Sequence, residues 1–118
     1  MFINLSNHPS VNWQKGQLDA AREYGEVKDL AFPAMDPSWG HQRVGALVED
    51  YLQRVLLLLE EAEEKVVHIM GEMTFTYNMV KMLKSHGVKC LASTTQRVAT
   101  EENGVKTTVF TFVIFREY

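Results

Sequence analysis

Three short runs carry side chains suited to holding or transforming a small anion: Ser6-Asn7-His8, Gly71-Glu72 with Thr74, and Ser93-Thr94-Thr95-Gln96-Arg97. Arg97 is the candidate anchor for a phosphate or carboxylate, because its planar fork joins a fixed positive charge to several donors. Ser93, Thr94 and Thr95 add hydroxyl donors, and their amides suit an anion-binding turn. The plainer reading is that this run ends a strand and that Arg97 is solvated. His8 is the candidate proton donor or acceptor, since imidazole changes charge near neutral pH. Holding its own turn, with Asn7 satisfying local backbone, is the alternative. Glu72 could position a hydroxyl, act as a base or bond Arg97, and capping the following helix is an equal reading. Gly71 fits close approach of a ligand and also an ordinary tight turn.

Other reactive residue types point elsewhere. His8, His41, His68 and His86 are far apart, with no His-Glu-x-x-His or paired-cysteine pattern, so no metal site and no metal cofactor is expected. His68 interrupts an apolar run and reads as a hydrogen-bonded core histidine. Cys90 reads as a core side chain. No P-loop or Gly-x-Gly-x-x-Gly fingerprint occurs, so no nucleotide cofactor is expected. Trp13, Trp39 and Tyr77 could stack on a base, against the competing roles of core packing or a dimer surface.

The elements needed to bring these runs together follow from periodicity. Phe2 to Ser6 reads as a first strand, ending at Asn7-His8-Pro9-Ser10. A helix capped by Ser10 or Asn12 runs toward Tyr24 and stops at Gly25. Val27 to Phe32 is a second strand, followed by a loop through Gly40. Gln42 to about Glu64 has helical spacing, with Val44, Leu47, Val48, Tyr51, Leu52, Val55, Leu58 and Leu59 on one face. Its acidic end opposes the helix dipole, which predicts fraying or an earlier stop. Val66 to Met70, the helical run after Gly71, and Val88 to Ala92 form a strand-helix-strand unit that calls for parallel pairing. After a polar turn at Thr100 to Gly104, Val105 to Phe115 is a last strand, predicted antiparallel. Strict alternation assigns Thr107, Val109, Thr111, Val113 and Phe115 to one face, and Thr108, Phe110, Phe112 and Ile114 to the other, both substantially covered. The expectation is one Rossmann-like three-layer α/β domain over residues 1–118, with a mainly parallel sheet and a C-terminal antiparallel strand. In such sheets ligands bind at the carboxyl ends of the strands, where the three runs should meet.

Composition sets outer bounds. The 118 residues suit a single domain, and a hydrophobic share of 46% supports a folded core. A net charge of -3 argues against binding long duplex nucleic acid through many phosphates. One cysteine cannot form an internal disulfide, which favours a reducing, cytoplasmic setting. The amino terminus reads as lacking a signal peptide, and no apolar run is long enough for a bilayer, so no membrane partner is expected.

Taken together, Asn4-Leu5-Ser6-Asn7-His8-Pro9, Gly71-Glu72-Met73-Thr74 and Ala92-Ser93-Thr94-Thr95-Gln96-Arg97 resemble segments of small CRISPR-associated proteins. That group has Rossmann-like folds related to cyclic-oligoadenylate sensor domains and ring nucleases. The resemblance implies a homodimer that binds a cyclic oligoadenylate across its two-fold axis. It also implies metal-independent cleavage with a ribose hydroxyl as nucleophile, in type III CRISPR signalling. His8, Glu72 and Arg97 are then the expected catalytic group, and Ser6, Asn7, Gly71, Thr74, Ser93, Thr94 and Thr95 join Arg97 in binding. A noncatalytic cyclic-oligoadenylate binder and a protein-interaction subunit are the alternatives.

Overall fold

In the computed structural model, which describes all 118 residues, strands β1 (Phe2–Ser6), β2 (Val27–Ala31) and β3 (Val66–Met70) form the parallel heart of one sheet. They are joined by helices α1 (Lys15–Arg22) and α2 (His41–Leu59). Helix α3 (Met73–Ser85) leads into β4 (Lys89–Glu102), which pairs parallel with β3, and β5 (Val105–Glu117) returns antiparallel beside it. The strand order is β2-β1-β3-β4-β5. This is the expected three-layer α/β domain. Gly25 (φ 126°) and Gly87 (φ 75°) make the positive-φ turns after α1 and α3.

Side chains alternate across the sheet. Ile3, Leu5, Val67 and Ile69 face α2 and α3, where they pack with Val48, Leu52, Val55, Phe75, Met79 and Leu83 in the main core. The opposite face packs Phe2, Val66 and Leu91 against Ala21 of α1, with Trp13, Tyr24 and Phe115 around them. That second layer is thin, because α1 has only eight residues. Polar strand residues occupy this face, in the positions that α1 leaves uncovered.

Several boundaries differ from those read in the sequence. Ser10–Asn12 form a 3-10 turn, and α1 begins only at Lys15. Helix α2 stops at Leu59, before the acidic run, which is the earlier of the two endings expected from the dipole. Leu58, assigned to the inner face, is exposed. The largest correction concerns β4. Ser93 to Arg97 is a continuing strand and not a loop, and the connection contracts to Asn103-Gly104, both at positive φ, as a two-residue hairpin requires.

The resulting hairpin projects beyond the parallel strands. The radius of gyration is 15.9 Å, against about 13.5 Å for a compact chain of this length. Val98, Val105, Val109, Val113 and Ile114 are exposed, so the expectation that both faces of β5 are covered is overturned. Strict alternation also fails. Ser93 pairs with Phe115 but Thr95 pairs with Phe112, so β5 carries a bulge. The bulge turns Phe112 and Phe115 toward one another, with ring centroids 4.8 Å apart. Thr94 stitches this irregularity, accepting from the Ile114 amide and donating to its carbonyl at 3.1 Å each.

The outer edge of β5 is not left bare. Gln14 donates through Nε2 to the Phe110 carbonyl (3.2 Å) and accepts the Phe112 amide on Oε1 (3.0 Å). One side-chain amide thus substitutes for a residue of a neighbouring strand and blunts the edge. We expect Gln14→Ala to speed hydrogen exchange at the Phe112 amide by an order of magnitude or more, since that N–H loses its acceptor. Core amides of β1 should exchange as before.

Candidate functional site

The register of the parallel strands sets a polar row across the sheet. Asp29 lies beside Asn4, and Asn4 beside His68, each at the centre of a five-residue strand. Asn4 Nδ2 donates to Asp29 Oδ1 (2.8 Å) and to the His8 carbonyl (2.9 Å). Its Oδ1 accepts from Ser6 Oγ (2.7 Å) and meets His68 Nδ1 at 2.9 Å. Two acceptors on one side fix the orientation of the amide. Oδ1 can only accept, so His68 carries its proton on Nδ1. Nε2 is left with a free lone pair, and Ser93 Oγ lies 3.2 Å from it.

Asp29 also positions the connection after β1. Its carboxylate accepts from the Ser10 amide (3.1 Å) and hydroxyl (2.9 Å). The His8 carbonyl collects a further bond from Trp13 Nε1 at 2.9 Å. Aromatic rings wall in the row: His68 sits 5.4 Å from both Trp13 and Phe115 and stacks on Phe2 at 6.2 Å.

Above this row lies a cavity of about 660 Å³. The end of β1 and the turn after it supply Ser6, Asn7, His8 and Pro9, the approach to α1 supplies Trp13 and Gln14, and α1 itself supplies Gln17. Its floor and far wall are His68, Met70, Gly71, Ser93, Thr95, Phe110 and Phe112. Its position at the carboxyl ends of β1 and β3, where the strand order reverses, is the usual ligand crevice of an open α/β sheet.

The sequence candidates divide around this cavity. Ser6, Asn7, His8, Gly71, Ser93 and Thr95 line it. Ser6 is already engaged with Asn4, so its hydroxyl braces the floor. Glu72 does not line the cavity. It caps α3, accepting from the Thr74 and Phe75 amides at 2.9 and 2.8 Å, and Thr74 donates its hydroxyl back to the same carboxylate. Those bonds hold Glu72 below the ordinary carboxylate range. Thr94 serves the bulge. Arg97 pairs with Phe110 one step farther along the hairpin and is not part of the lining. No lysine or arginine lines the cavity.

At Gly71 the close neighbour is protein, and a larger residue would force the Phe32 ring to shift. A Cβ there would lie 2.3 Å from the Phe32 ring, which packs edge-on against Phe75. Of the candidate stacking residues, Trp13 reaches the cavity, whereas Trp39 packs on the α2 side beneath Arg43 and Tyr77 lies on α3. Phe110 and Phe112 were not singled out in the sequence, because the bulge that aims them is invisible there. His68 was read as a hydrogen-bonded core residue, and it is one. Its contact with Ser93 was missed. Cys90 is buried, its thiol pushed up to about 11 by burial. No group of three His, Cys, Asp or Glu side chains is arranged to hold a metal ion. No helix is long and apolar enough to cross a membrane.

Burial, and then the nearby charge of His8, push His68 down to about 4 from an ordinary 6.5. Unfolded chains take up a proton near 6.5 and folded ones resist until about 4, so stability is complete above 6.5 and declines as pH falls through that window. We expect denaturant titrations to show a loss of about 3 kcal/mol across it, and His68→Gln to flatten that dependence. Glu72→Ala should cost about 1 kcal/mol by uncapping α3, read in the same titrations at pH 7.

No curated protein and no solved structure matches the chain. The profile of the family described as "Uncharacterized protein MJ1673 family" matches residues 1–116. Spanning nearly the whole chain, that match places the protein in the MJ1673 family.

Proposed function

We propose that the cavity beside β1 and β3 binds a cyclic oligoadenylate, and that the protein is a metal-independent ring nuclease of type III CRISPR defence. The observation that carries this reading is the composition of the cavity at its place in the fold. Trp13, Phe110 and Phe112 offer rings for adenine stacking, while Asn7, Gln17 and Thr95 offer polar contacts to ribose and phosphate. His8 presents an exposed imidazole in the same space, suited to proton transfer at the attacking ribose hydroxyl or the leaving oxygen. Arg97, on the same strand face as Thr95, extends the contact surface at the outer side. A homodimer belongs to the same proposal: the exposed hairpin gives each copy an apolar surface to bury, and a second copy would add charge that one cavity lacks.

One observation favours the noncatalytic alternative. With Glu72 committed to its helix and no lysine or arginine in the lining, His8 is the one solvent-exposed ionisable side chain in the cavity. A single such group supports binding more readily than rapid cleavage.

Incubation of the pure protein with cyclic tri-, tetra- and hexa-adenylate in the presence of chelator, followed by mass analysis, separates these readings. Linear products with wild-type protein, reduced at least tenfold in His8→Ala, are the expected result. Intact ligand retained with micromolar affinity would assign the binder. Neither binding nor products would remove cyclic oligoadenylates from consideration.

A further inference from the structure

The cavity floor combines four features that the ligand reading above does not use. Ser93 Oγ lies within hydrogen-bonding distance of an imidazole nitrogen that bears a free lone pair. The other ring nitrogen is held by Asn4, and Asn4 in turn by Asp29. The β3–β4 ladder stops at the pair His68–Leu91 although β3 runs on to Met70, and the Ile69 carbonyl accepts from the Tyr118 hydroxyl (2.6 Å), so the Ser93 amide turns away from it. The Ser93 amide meets Met70 Sδ at 3.3 Å, and the hydroxyl, with one proton to give, stands between that sulfur at 3.0 Å and His68 Nε2 at 3.2 Å. A thioether is a weak acceptor, and Met70 is 38% exposed. Its sulfur therefore occupies the position where a stronger acceptor, such as a developing oxyanion, would find the amide of the attacking residue itself.

We propose that Ser93 is a nucleophilic serine, with His68 as its base and Asn4 as the group that orients the base, acting on small uncharged carboxylic esters. An uncharged ester is the class that one copy's lining, with aromatic walls and no lysine or arginine, accommodates without charge from a second copy. In the first half-reaction Ser93 Oγ bonds to the ester carbonyl carbon as its proton passes to His68 Nε2. The carbon–alkoxy bond then breaks, and the departing alkoxide takes that proton. In the second, a water molecule attacks the acyl carbon and gives a proton to Nε2, the bond to Ser93 breaks, and the proton returns to Oγ. Ester and water thus give acid and alcohol, with the protein unchanged. Burial opposes the positive charge that appears on the ring, so the imidazolium passes its proton on promptly, while Asn4, itself held by Asp29, keeps Nδ1 in place.

The test uses an alkyl fluorophosphonate with peptide mass mapping, and 4-nitrophenyl butyrate for turnover. The wild-type protein should acquire one adduct, on Ser93. Ser93→Ala should lose the adduct and at least about 100-fold in turnover. His68→Gln, if folded by near-ultraviolet circular dichroism, should slow labelling of Ser93 by a similar factor. Absence of an adduct on Ser93 in the wild type, or equal turnover in Ser93→Ala, overturns the proposal. Neither probe contains a nucleotide, so these outcomes are separate from those obtained with cyclic oligoadenylates.

Discussion

A row of hydrogen bonds, Asp29 to Asn4 to His68 to Ser93, crosses four adjacent strands on one face of the sheet. Buried polar groups destabilise a fold unless each finds partners. Here Asn4 satisfies two donors and two acceptor positions at once, and no other residue type of its size does so. The same bonds that make the row tolerable also remove choice. They orient the amide, place the imidazole proton and direct a bare nitrogen at a hydroxyl. Structural satisfaction and chemical poise are therefore one feature of this sheet.

The space around that feature comes from unequal lengths. Helix α1 is too short to cover the whole face, and β3 ends while β4 continues. The uncovered area is closed from the side by the hairpin, whose bulge turns Phe112 inward and whose edge is pinned by Gln14. A cavity thus forms between the turn after β1 and the curled β5, with rigid strands beneath it. Rigid support suits a site, because small displacements of reacting groups cost large factors in rate.

Much of the fold was legible in the sequence. Five-residue apolar strands, a broad apolar stripe in α2 and the strand-helix-strand pattern around Gly71 act locally, through side-chain period and turn chemistry. The run Ser6-Asn7-His8 was legible as a strand-end turn for the same reason. The length of β4 was not, because Ser93 to Glu102 is polar and β-branched, and only pairing with β5 makes it a strand. Register was equally hidden. Asn4, Asp29 and His68 each interrupt the centre of a short strand, a signal present in the chain, but nothing local states that the three stand side by side. Glu72 looked reactive because a carboxylate at a strand end and one at a helix start are the same residue here, and the helix amides claim it first.

The proton on His68 is the most direct witness of the row. Nitrogen-15 NMR of the protein, labelled at histidine and followed from pH 8 to pH 5, reads which ring nitrogen carries it. A neutral ring protonated on Nδ1, and unchanged over that range, is the predicted state. A ring protonated on Nε2, or one that titrates near 6.5, would contradict the hydrogen-bond row on which the site depends.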